Sequence, residues 1–214
     1  MIKGIIFDLD GTLLNTVDDI KNSLNFVLEE NNFPLRTEEE VKSNLGYGSL
    51  SLIKDSLPKD TTEDTINKIY NDYVSHYTKN NNNFTKPYEA IMTLLKLLKA
   101  NKYLLAITSN KMQEAVTELN QETFLGLIDV AIGERKSLKL KPDPEMIVLA
   151  LNELGLSNEE VLYVGDTEVD LLTAKNANLK SIAVTWGFRT KKELLKHSPD
   201  YVIDSPLDLL EIIK

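Results

Sequence analysis

No cysteine occurs among the 214 residues of the chain. This absence excludes disulfide bonds, thiolate catalysis and zinc sites with cysteine ligands. No apolar run approaches the roughly 20 residues that a membrane-spanning helix needs, and no basic and then apolar leader precedes the first predicted strand. We therefore expect a cytoplasmic protein with no membrane partner.

Basic residues are outnumbered by acidic ones, 24 to 33, which gives a formal net charge of −9. A nucleic-acid partner would need a basic face to neutralise its phosphates, so this charge argues against one. An anionic small molecule would bind only where positive charge is concentrated locally. A metal ion, a lysine side chain or backbone N–H groups can supply that charge.

The pattern of apolar residues divides the chain into two parts. Apolar residues make up 42% of the chain and charged residues 27%, which is typical of a globular protein. Ile5–Phe7 is a short apolar strand, after which only helices are predicted up to about residue 85. Strands then alternate with helices, as in a doubly wound parallel sheet. We predict an α/β core of residues 1–15 and 86–214 with a helical insertion of residues 16–85.

Three details of this prediction concern where helices begin. Thr37 and Glu40 have the spacing of a capping box, which predicts a helix start within the insertion. Pro87 is predicted to open a helix. The strand Tyr103–Thr108 is predicted to be followed by a helix over Gln113–Asn120.

The first strand ends in two acidic residues. Asp8 and Asp10 are two positions apart, which places both side chains on one face if the extended backbone continues through them. Gly11 then permits a turn without a steric penalty. The two residues are therefore candidates for a site. An acidic turn that only ends the strand would give the same pattern.

A second candidate segment follows the strand that ends near Thr108. A hydroxyl followed by free N–H groups at a helix start can hold a phosphate oxygen. Thr108 or Ser109 could equally be no more than the cap of the next helix. Counting from the strand favours Thr108, whereas the Asn110-Lys111 pair favours Ser109, so the choice stays open by one residue.

Lys141 and two further acidic residues complete the candidate set. Lys141, which is favoured over Lys139, precedes a Pro-Asp-Pro run, which a helix start would explain without any function. Asp166 follows the apolar strand Val161–Val164, and Asp170 lies four residues further on, where one helical turn returns to the same side. Like charges at that spacing repel unless a cation lies between them, although acids are also common at helix N-termini.

In this order, the four segments resemble the motifs of the haloacid dehalogenase superfamily, and in particular its phosphoglycolate-phosphatase-like branch. The resemblance covers essentially the whole chain and is strongest in the core. It implies a Rossmann-like core with a helical cap inserted after the first motif. For individual residues it implies a nucleophile at Asp8, a general acid and base at Asp10, phosphate-binding groups at Thr108, Ser109 and Asn110, and a lysine at Lys141 that pairs with Asp8 and the phosphoryl group.

The same resemblance points to a bound magnesium ion. Carboxylates gathered in one cleft raise one another's pKa unless a divalent cation compensates, and ligands that are all oxygen suit Mg²⁺. The expected ligands are Asp8, the backbone carbonyl of Asp10, Asp166 and Asp170.

The expected activity is hydrolysis of small phosphate monoesters through an aspartyl-phosphate, with 2-phosphoglycolate as the favoured substrate and inorganic pyrophosphate as another. A phosphosugar mutase similar to β-phosphoglucomutase shares all four motifs and is the alternative. Within the insertion, Gly46–Ser49 is a candidate to approach the substrate because glycines let the backbone come close to a small anion, although a turn between helices fits as well. We expect a monomer or a homodimer that acts on a small phosphorylated metabolite.

Overall fold

The strands are short, and most of them are buried along their length. We describe residues 1–213 of the computed structural model. In chain order, the strands of this range are β1 (Gly4–Phe7), β2 (Leu14–Asn15), β3 (Lys86–Pro87), β4 (Leu104–Met112), β5 (Val130–Glu134), β6 (Val161–Gly165), β7 (Lys180–Val184) and β8 (Tyr201–Ile203). Six of them form one parallel sheet in the order β5-β4-β1-β6-β7-β8. The predicted α/β fold with a parallel sheet is confirmed.

β1 lies at the centre of this sheet. It pairs with β4 on one side and with β6 on the other, and all four of its residues are buried. Ile5 and Phe7 belong to one hydrophobic cluster and Ile6 to another, because side chains alternate between the two faces of a strand. A strand that is buried on both faces has a continuous apolar sequence, and this is why it was recognisable.

Helices cover both faces of the sheet and make up the insertion. In chain order, the helices of the described range are α1 (Val17–Glu30), α2 (Glu38–Asn44), α3 (Ser49–Ser56), α4 (Glu63–Asn80), α5 (Ile91–Ala100), α6 (Gln113–Leu119), α7 (Glu145–Leu154), α8 (Glu168–Asn176), α9 (Lys191–Leu195) and α10 (Leu209–Ile212). α5, α6 and α10 pack on one face of the sheet, and α7 and α8 pack on the other. Among residues 1–213, no helix has both the length and the apolar character needed to cross a membrane.

Residues 16–85, which we call the cap segment, contain α1 to α4. These helices pack on a hydrophobic cluster of their own, which includes Leu24 and Ile53. The predicted capping box is present at the start of α2. The Thr37 hydroxyl accepts from the N–H of Glu40, and the Glu40 carboxylate accepts from the N–H of Thr37. The division of the chain into two domains at residues 15 and 85 stays a prediction.

A two-stranded antiparallel ribbon joins the cap segment to the core. Leu14 pairs with Pro87 and Asn15 pairs with Lys86, so the chain enters and leaves the cap segment at neighbouring points. Two residues are too few to show an alternating pattern, and these strands were not predicted. The prediction that Pro87 opens a helix was wrong, because Pro87 lies in β3 and α5 begins at Ile91. Proline is tolerated at the edge of a sheet, where its missing N–H is not needed.

β4 is longer than predicted. It continues to Met112, and the helix predicted over Gln113–Asn120 is α6, which begins at Gln113. The pairing of β4 with β5 shifts register between Thr108 and Met112, an irregularity of the β-bulge type that re-aims side chains. Residues 108–111 therefore lie on extended backbone and not in the first turn of a helix.

Candidate active site

Acidic and basic side chains meet at the carboxyl edge of the parallel sheet. β4 and β5 lie on one side of β1, and β6, β7 and β8 lie on the other, so the direction in which successive strands are added reverses at β1. Such a switch point opens a crevice beyond the strand ends, where open α/β sheets bind ligands. Asp8 directly follows β1, Asp166 directly follows β6, and residues 108–111 form the end of β4.

Lys141 joins two of the predicted carboxylates. Its Nζ lies 2.6 Å from Oδ1 of Asp8 and 2.7 Å from Oδ1 of Asp170. A third hydrogen bond, of 3.2 Å, goes from the same atom to the hydroxyl of Tyr163. All four side chains are buried. An ammonium group has three N–H donors, so the protein itself saturates Lys141.

Asp166 has hydrogen-bond donors around it but no basic partner. Its carboxylate accepts from the Thr12 hydroxyl at 3.0 Å and from the backbone N–H of Phe188 at 2.7 Å. Within residues 1–213, no lysine or arginine forms an ion pair with this buried carboxylate. Gly11, with φ of +88°, and Gly187 bring the backbone so close that a Cβ at either position would collide with the Asp166 carboxylate.

Asp10 has a basic partner that was not predicted. Nζ of Lys111 lies 2.8 Å from Oδ1 of Asp10, and the Lys111 side chain is only 4% exposed. The same ammonium stands 4.7 Å from the centre of the Tyr77 ring, which is a cation–π geometry. Lys111 belongs to β4 and Tyr77 to α4, so this contact joins the core to the cap segment.

One carboxylate oxygen from each of Asp8, Asp166 and Asp170 lies within 4.8 Å of the others. Together with Asp10, four carboxylates face the two ammonium groups of the site, which leaves an excess of negative charge that a divalent cation would balance. The available ligand atoms are oxygens, the donors that hard divalent cations prefer. The residues present therefore fit a divalent metal ion.

Burial changes the acid–base behaviour of these groups. It raises the pKa of Asp8 well above its usual value; Lys141 acts in the opposite direction, and the charges of Asp170 and Asp166 add to the rise. Burial and the charge of Asp170 raise the pKa of Asp166 to about 7. Burial alone would lower the pKa of Lys141, but Asp170 and Asp8 outweigh it and hold that pKa well above its usual value. Lys141 is thus charged at neutral pH, whereas the raised pKa values of Asp8 and Asp166 mean that a nearby cation is needed to keep these two groups fully ionised.

A cavity of about 50 Å³ lies over these groups, between the core and the cap segment. One water molecule needs roughly 10–15 Å³ of such space, so the cavity holds only a few waters. Its core side includes Asp8, Asp10, Lys111 and Lys141, and its cap side includes Gly46, Gly48 and Ser49. The segment 46–49, a candidate to approach the substrate that could also have been only a turn between helices, thus contributes Gly46, Gly48 and Ser49 to the cavity wall.

The two candidate hydroxyls at the end of β4 have different surroundings. The Thr108 hydroxyl is 3.1 Å from the hydroxyl of Tyr163, and Thr108 is not among the residues that line the cavity. Ser109 does line the cavity, and its hydroxyl accepts a hydrogen bond of 3.2 Å from the N–H of Lys111. Ser109 is therefore the one that faces the space where a phosphate could bind.

The side-chain amide of Asn110 is occupied by backbone groups. It donates to the carbonyl of Gly46 in the cap segment and exchanges two hydrogen bonds with the main chain of Lys141. Asn110 therefore connects three parts of the site: the end of β4, the loop before α7 and the cap segment.

Arg189, which follows β7, holds the C-terminal end of α2. Its guanidinium donates to the carbonyls of Lys42, Ser43 and Leu45 at 2.6, 3.3 and 2.8 Å. It also forms a two-pronged ion pair with Glu168, with distances of 2.8 and 3.1 Å. The last carbonyls of a helix have no partner within the helix, and a cation near them is favourable. This contact is a second one that fixes the cap segment against the core.

Residues 5–184 match the family model described as haloacid dehalogenase-like hydrolase. The chain belongs to this family. Phosphoglycolate phosphatase from Aquifex aeolicus (strain VF5) is 31% identical over 213 residues, which cover 99% of this chain and 97% of the relative. A protein from Caldanaerobacter subterraneus subsp. tengcongensis, named as a candidate pyrophosphatase, PpaX, is 33% identical over 214 residues, 100% of this chain and 95% of the relative.

A solved structure of this kind shows the same fold. The crystal structure of a candidate phosphoglycolate phosphatase from Lactobacillus delbrueckii subsp. bulgaricus is similar with a TM-score of 0.93 and 32% identity, covering 99% of this chain and 98% of that one. The predicted membership of the haloacid dehalogenase superfamily is therefore confirmed. The chain is an enzyme, a phosphatase of this family.

Four residues with close contacts in this haloacid dehalogenase-like site were not predicted. Thr12 and Lys111 adjoin predicted motif residues, so their position in the sequence could have suggested them. Tyr163 lies within an apolar strand, where an aromatic residue indicates packing rather than chemistry. Arg189 lies beyond the last motif and carries no local signal, because its partners in the cap segment are 144 to 147 residues away in the chain and reach it only through folding.

Proposed function

We propose that this phosphatase hydrolyses small phosphate esters with the help of Mg²⁺, through a phosphoryl group carried on Asp8. The observation that carries the proposal is the position of Lys141, whose Nζ bridges Asp8 and Asp170 beneath the cavity. Asp166 completes the carboxylate cluster beside them. The residues proposed as nucleophile, charge-stabilising group and metal ligands lie close together, which supports the proposal.

Asp8, Asp166 and Asp170, with the backbone carbonyl of Asp10, would hold the Mg²⁺. When bound, the ion supplies positive charge that keeps the carboxylates ionised and stabilises negative charge on the phosphoryl oxygens. The buried Asp166 carboxylate supports this assignment, because it has hydrogen-bond donors but no basic partner within residues 1–213.

In the first step, a carboxylate oxygen of Asp8 attacks the phosphorus atom. The bond between that oxygen and phosphorus forms, the bond between phosphorus and the leaving oxygen breaks, and Asp10 gives its proton to the leaving oxygen. Lys141 stabilises negative charge on the transferring phosphoryl group. The Ser109 hydroxyl donates to a phosphoryl oxygen, since it lines the cavity.

In the second step, water attacks the phosphorus of the aspartyl-phosphate. Asp10 takes a proton from that water, the bond between Asp8 and phosphorus breaks, and inorganic phosphate leaves. Asp10 thus returns to its protonated form and Asp8 to its carboxylate. Asn110 lines the same cavity and was predicted to bind the phosphate, and its two hydrogen bonds to the main chain of Lys141 also position that residue.

The small cavity favours a substrate with few non-hydrogen atoms. 2-Phosphoglycolate is the favoured substrate, because the Aquifex aeolicus relative is named as the phosphatase for that compound. Pyrophosphate is the second candidate, on the basis of the relative named as a candidate pyrophosphatase. Cytoplasmic location and a monomeric or homodimeric state stay predictions.

Phosphate release from a panel of esters, with and without Mg²⁺, tests the activity, and release without a bisphosphate activator separates a phosphatase from a mutase.

The intermediate is tested with p-nitrophenyl phosphate, whose leaving group needs no proton. Asp10→Asn should give one burst of nitrophenolate per enzyme and accumulate a phosphorylated peptide that contains Asp8 in acid-quenched mass spectra. Asp8→Asn should show neither, and its turnover should fall by about 10³-fold or more. Normal turnover by Asp8→Asn would exclude the proposal.

A further inference from the structure

One wall of the cavity is not used by the phosphoryl chemistry described above. It is formed by Lys111 from β4 and by Tyr73 and Tyr77 from α4. The two rings are stacked, with centres 5.5 Å apart and an interplanar angle of 8°. This wall therefore presents one ammonium group against a rigid aromatic surface.

Lys111 and Lys141 differ in how their N–H donors are used. Lys141 has three acceptors, one for each donor. Lys111 is equally buried, but among residues 1–213 its ammonium has a single hydrogen bond, to Asp10, and a cation–π contact with Tyr77. Two of its three donors have no acceptor, although burying a charged donor without partners is costly. The space beside it is the cavity, so a ligand would supply the missing acceptors.

The position of Lys111 shows which part of a substrate it would meet. Asp10 gives its proton to the leaving oxygen in the proposed reaction, and Lys111 is hydrogen-bonded to the Asp10 carboxylate at 2.8 Å. The phosphoryl group lies over Asp8, whose basic partner is Lys141. Lys111 is therefore on the leaving-group side of the site.

We propose that Lys111 determines substrate specificity by binding an anionic group on the leaving group. The preferred substrates are small phosphate esters or anhydrides whose leaving group carries its own negative charge a few bonds from phosphorus. The rings of Tyr73 and Tyr77 limit the size of that group. This inference rests on the proposed function, and it gives one physical reason why both 2-phosphoglycolate and pyrophosphate would be substrates.

The test compares 2-phosphoglycolate with its uncharged amide, which has the same shape. For the wild-type enzyme, kcat/KM for the acid should exceed that for the amide by about 10–100-fold, the value of a charged hydrogen bond. Lys111→Met keeps an unbranched apolar side chain and removes the charge, and it should bring that ratio close to one. Any effect transmitted through Asp10 lowers kcat/KM for both substrates by the same factor and cancels in the ratio.

Lys111→Gln provides a second variant if the Met variant does not fold, and Lys54→Met, at an exposed ion pair with Glu63, is the control that should leave the ratio unchanged. A wild-type enzyme without preference for the acid, or a Lys111 variant that keeps the wild-type ratio, would overturn the role of Lys111. Hydrolysis of neither substrate nor p-nitrophenyl phosphate in the presence of Mg²⁺ would instead overturn the proposed function, and this inference with it.

Discussion

The side chain of Asn110 and the main chain of Lys141 form a closed pair of hydrogen bonds. The Asn110 amide donates to the Lys141 carbonyl at 2.9 Å, and its Oδ1 accepts from the Lys141 N–H at 2.8 Å. The two residues are 31 positions apart in the chain. The backbone of the proposed charge-stabilising lysine is therefore fixed by a side chain at the end of β4 that lines the same cavity.

Replacement of Asn110 by Asp should lower activity by displacing Lys141. The carboxylate cannot donate, so it would repel the carbonyls of Lys141 and Gly46 that the amide now binds. We expect kcat/KM to fall by about 10–100-fold. Asn176→Asp is the matched control. Asn176 also donates to a backbone carbonyl of this loop, that of Pro142, which follows Lys141, but it does so from an exposed position. Equal losses in the two variants would show that the Asn110–Lys141 pair has no special role.

Ser109→Ala and Thr108→Val should have different effects, although the two hydroxyls are adjacent. Ser109 lines the cavity, so its loss should reduce kcat/KM by about tenfold or more, with little change in melting temperature. Thr108 is hydrogen-bonded to Tyr163 in the interior, so its loss should cost about 1–2 kcal/mol of unfolding free energy. Steady-state kinetics and urea denaturation on both variants give the comparison. The reverse pattern would assign phosphate binding to Thr108.

The metal-free protein should lose stability as the pH rises from about 4 to about 7. Burial raises the pKa of Asp166 from 3.8 to about 7 in the folded state, so in this range the folded protein binds more protons than the unfolded chain. The contribution of Asp166 to the free energy of unfolding is fully present below the pKa of the unfolded chain, and it is lost as the pH rises through the pKa of the folded state. The loss should be on the order of 1–4 kcal/mol.

Thermal denaturation in a chelator, and again with excess Mg²⁺, measures this effect. The gain in melting temperature from Mg²⁺ should be small at low pH and large above neutral pH, because the ion binds only the ionised carboxylates. Asp166→Asn removes the titrating group and should flatten the pH dependence of the metal-free protein. A Mg²⁺ effect that is independent of pH would argue against Asp166 as a ligand.

Arg189→Lys should loosen the cap segment without removing a charge. Lysine cannot reproduce the forked contact with Glu168 together with the bonds to the α2 carbonyls. We expect a loss of about 1–3 kcal/mol in hydrogen-exchange protection at the end of α2 and a raised KM. Arg36→Lys is the control, since Arg36 makes similar contacts to the Ser56 carbonyl but only within the cap segment. A raised KM in both variants would mean that the effect on KM does not come from the contact between Arg189 and the cap segment.

The parts of the site that could be predicted are those whose signal is local. Asp8 and Asp166 follow apolar strands directly, and Lys141 stands before a proline-rich helix start, so each has a pattern within a few residues. In a parallel sheet the carboxyl ends of all strands lie at the same edge, so residues that follow these strands are brought together by the fold itself. The central strand was recognisable for a similar reason, because burial on both faces leaves a continuous apolar run.

The parts that could not be predicted depend on contacts between distant residues. Lys111 and Asp10 are 101 positions apart, and nothing near either residue indicates the pair. Arg189 meets the cap segment only because β7 ends opposite α2. The choice between Thr108 and Ser109 depends on where β4 ends, and the shift in its pairing with β5 lies between Thr108 and Met112, which a pattern of apolar residues does not show.

The ribbon of β2 and β3 makes the cap segment exchangeable. The two ends of the cap segment lie side by side, so for the core the segment is one closed loop. Doubling the length of a flexible loop costs only about 0.6 kcal/mol of closure entropy. A different cap could therefore be grafted between Asn15 and Lys86 while the core keeps the carboxylates of the candidate site. Such a graft would replace the wall that Gly46, Gly48 and Ser49 now form, and with it the shape of the space that a substrate could fill.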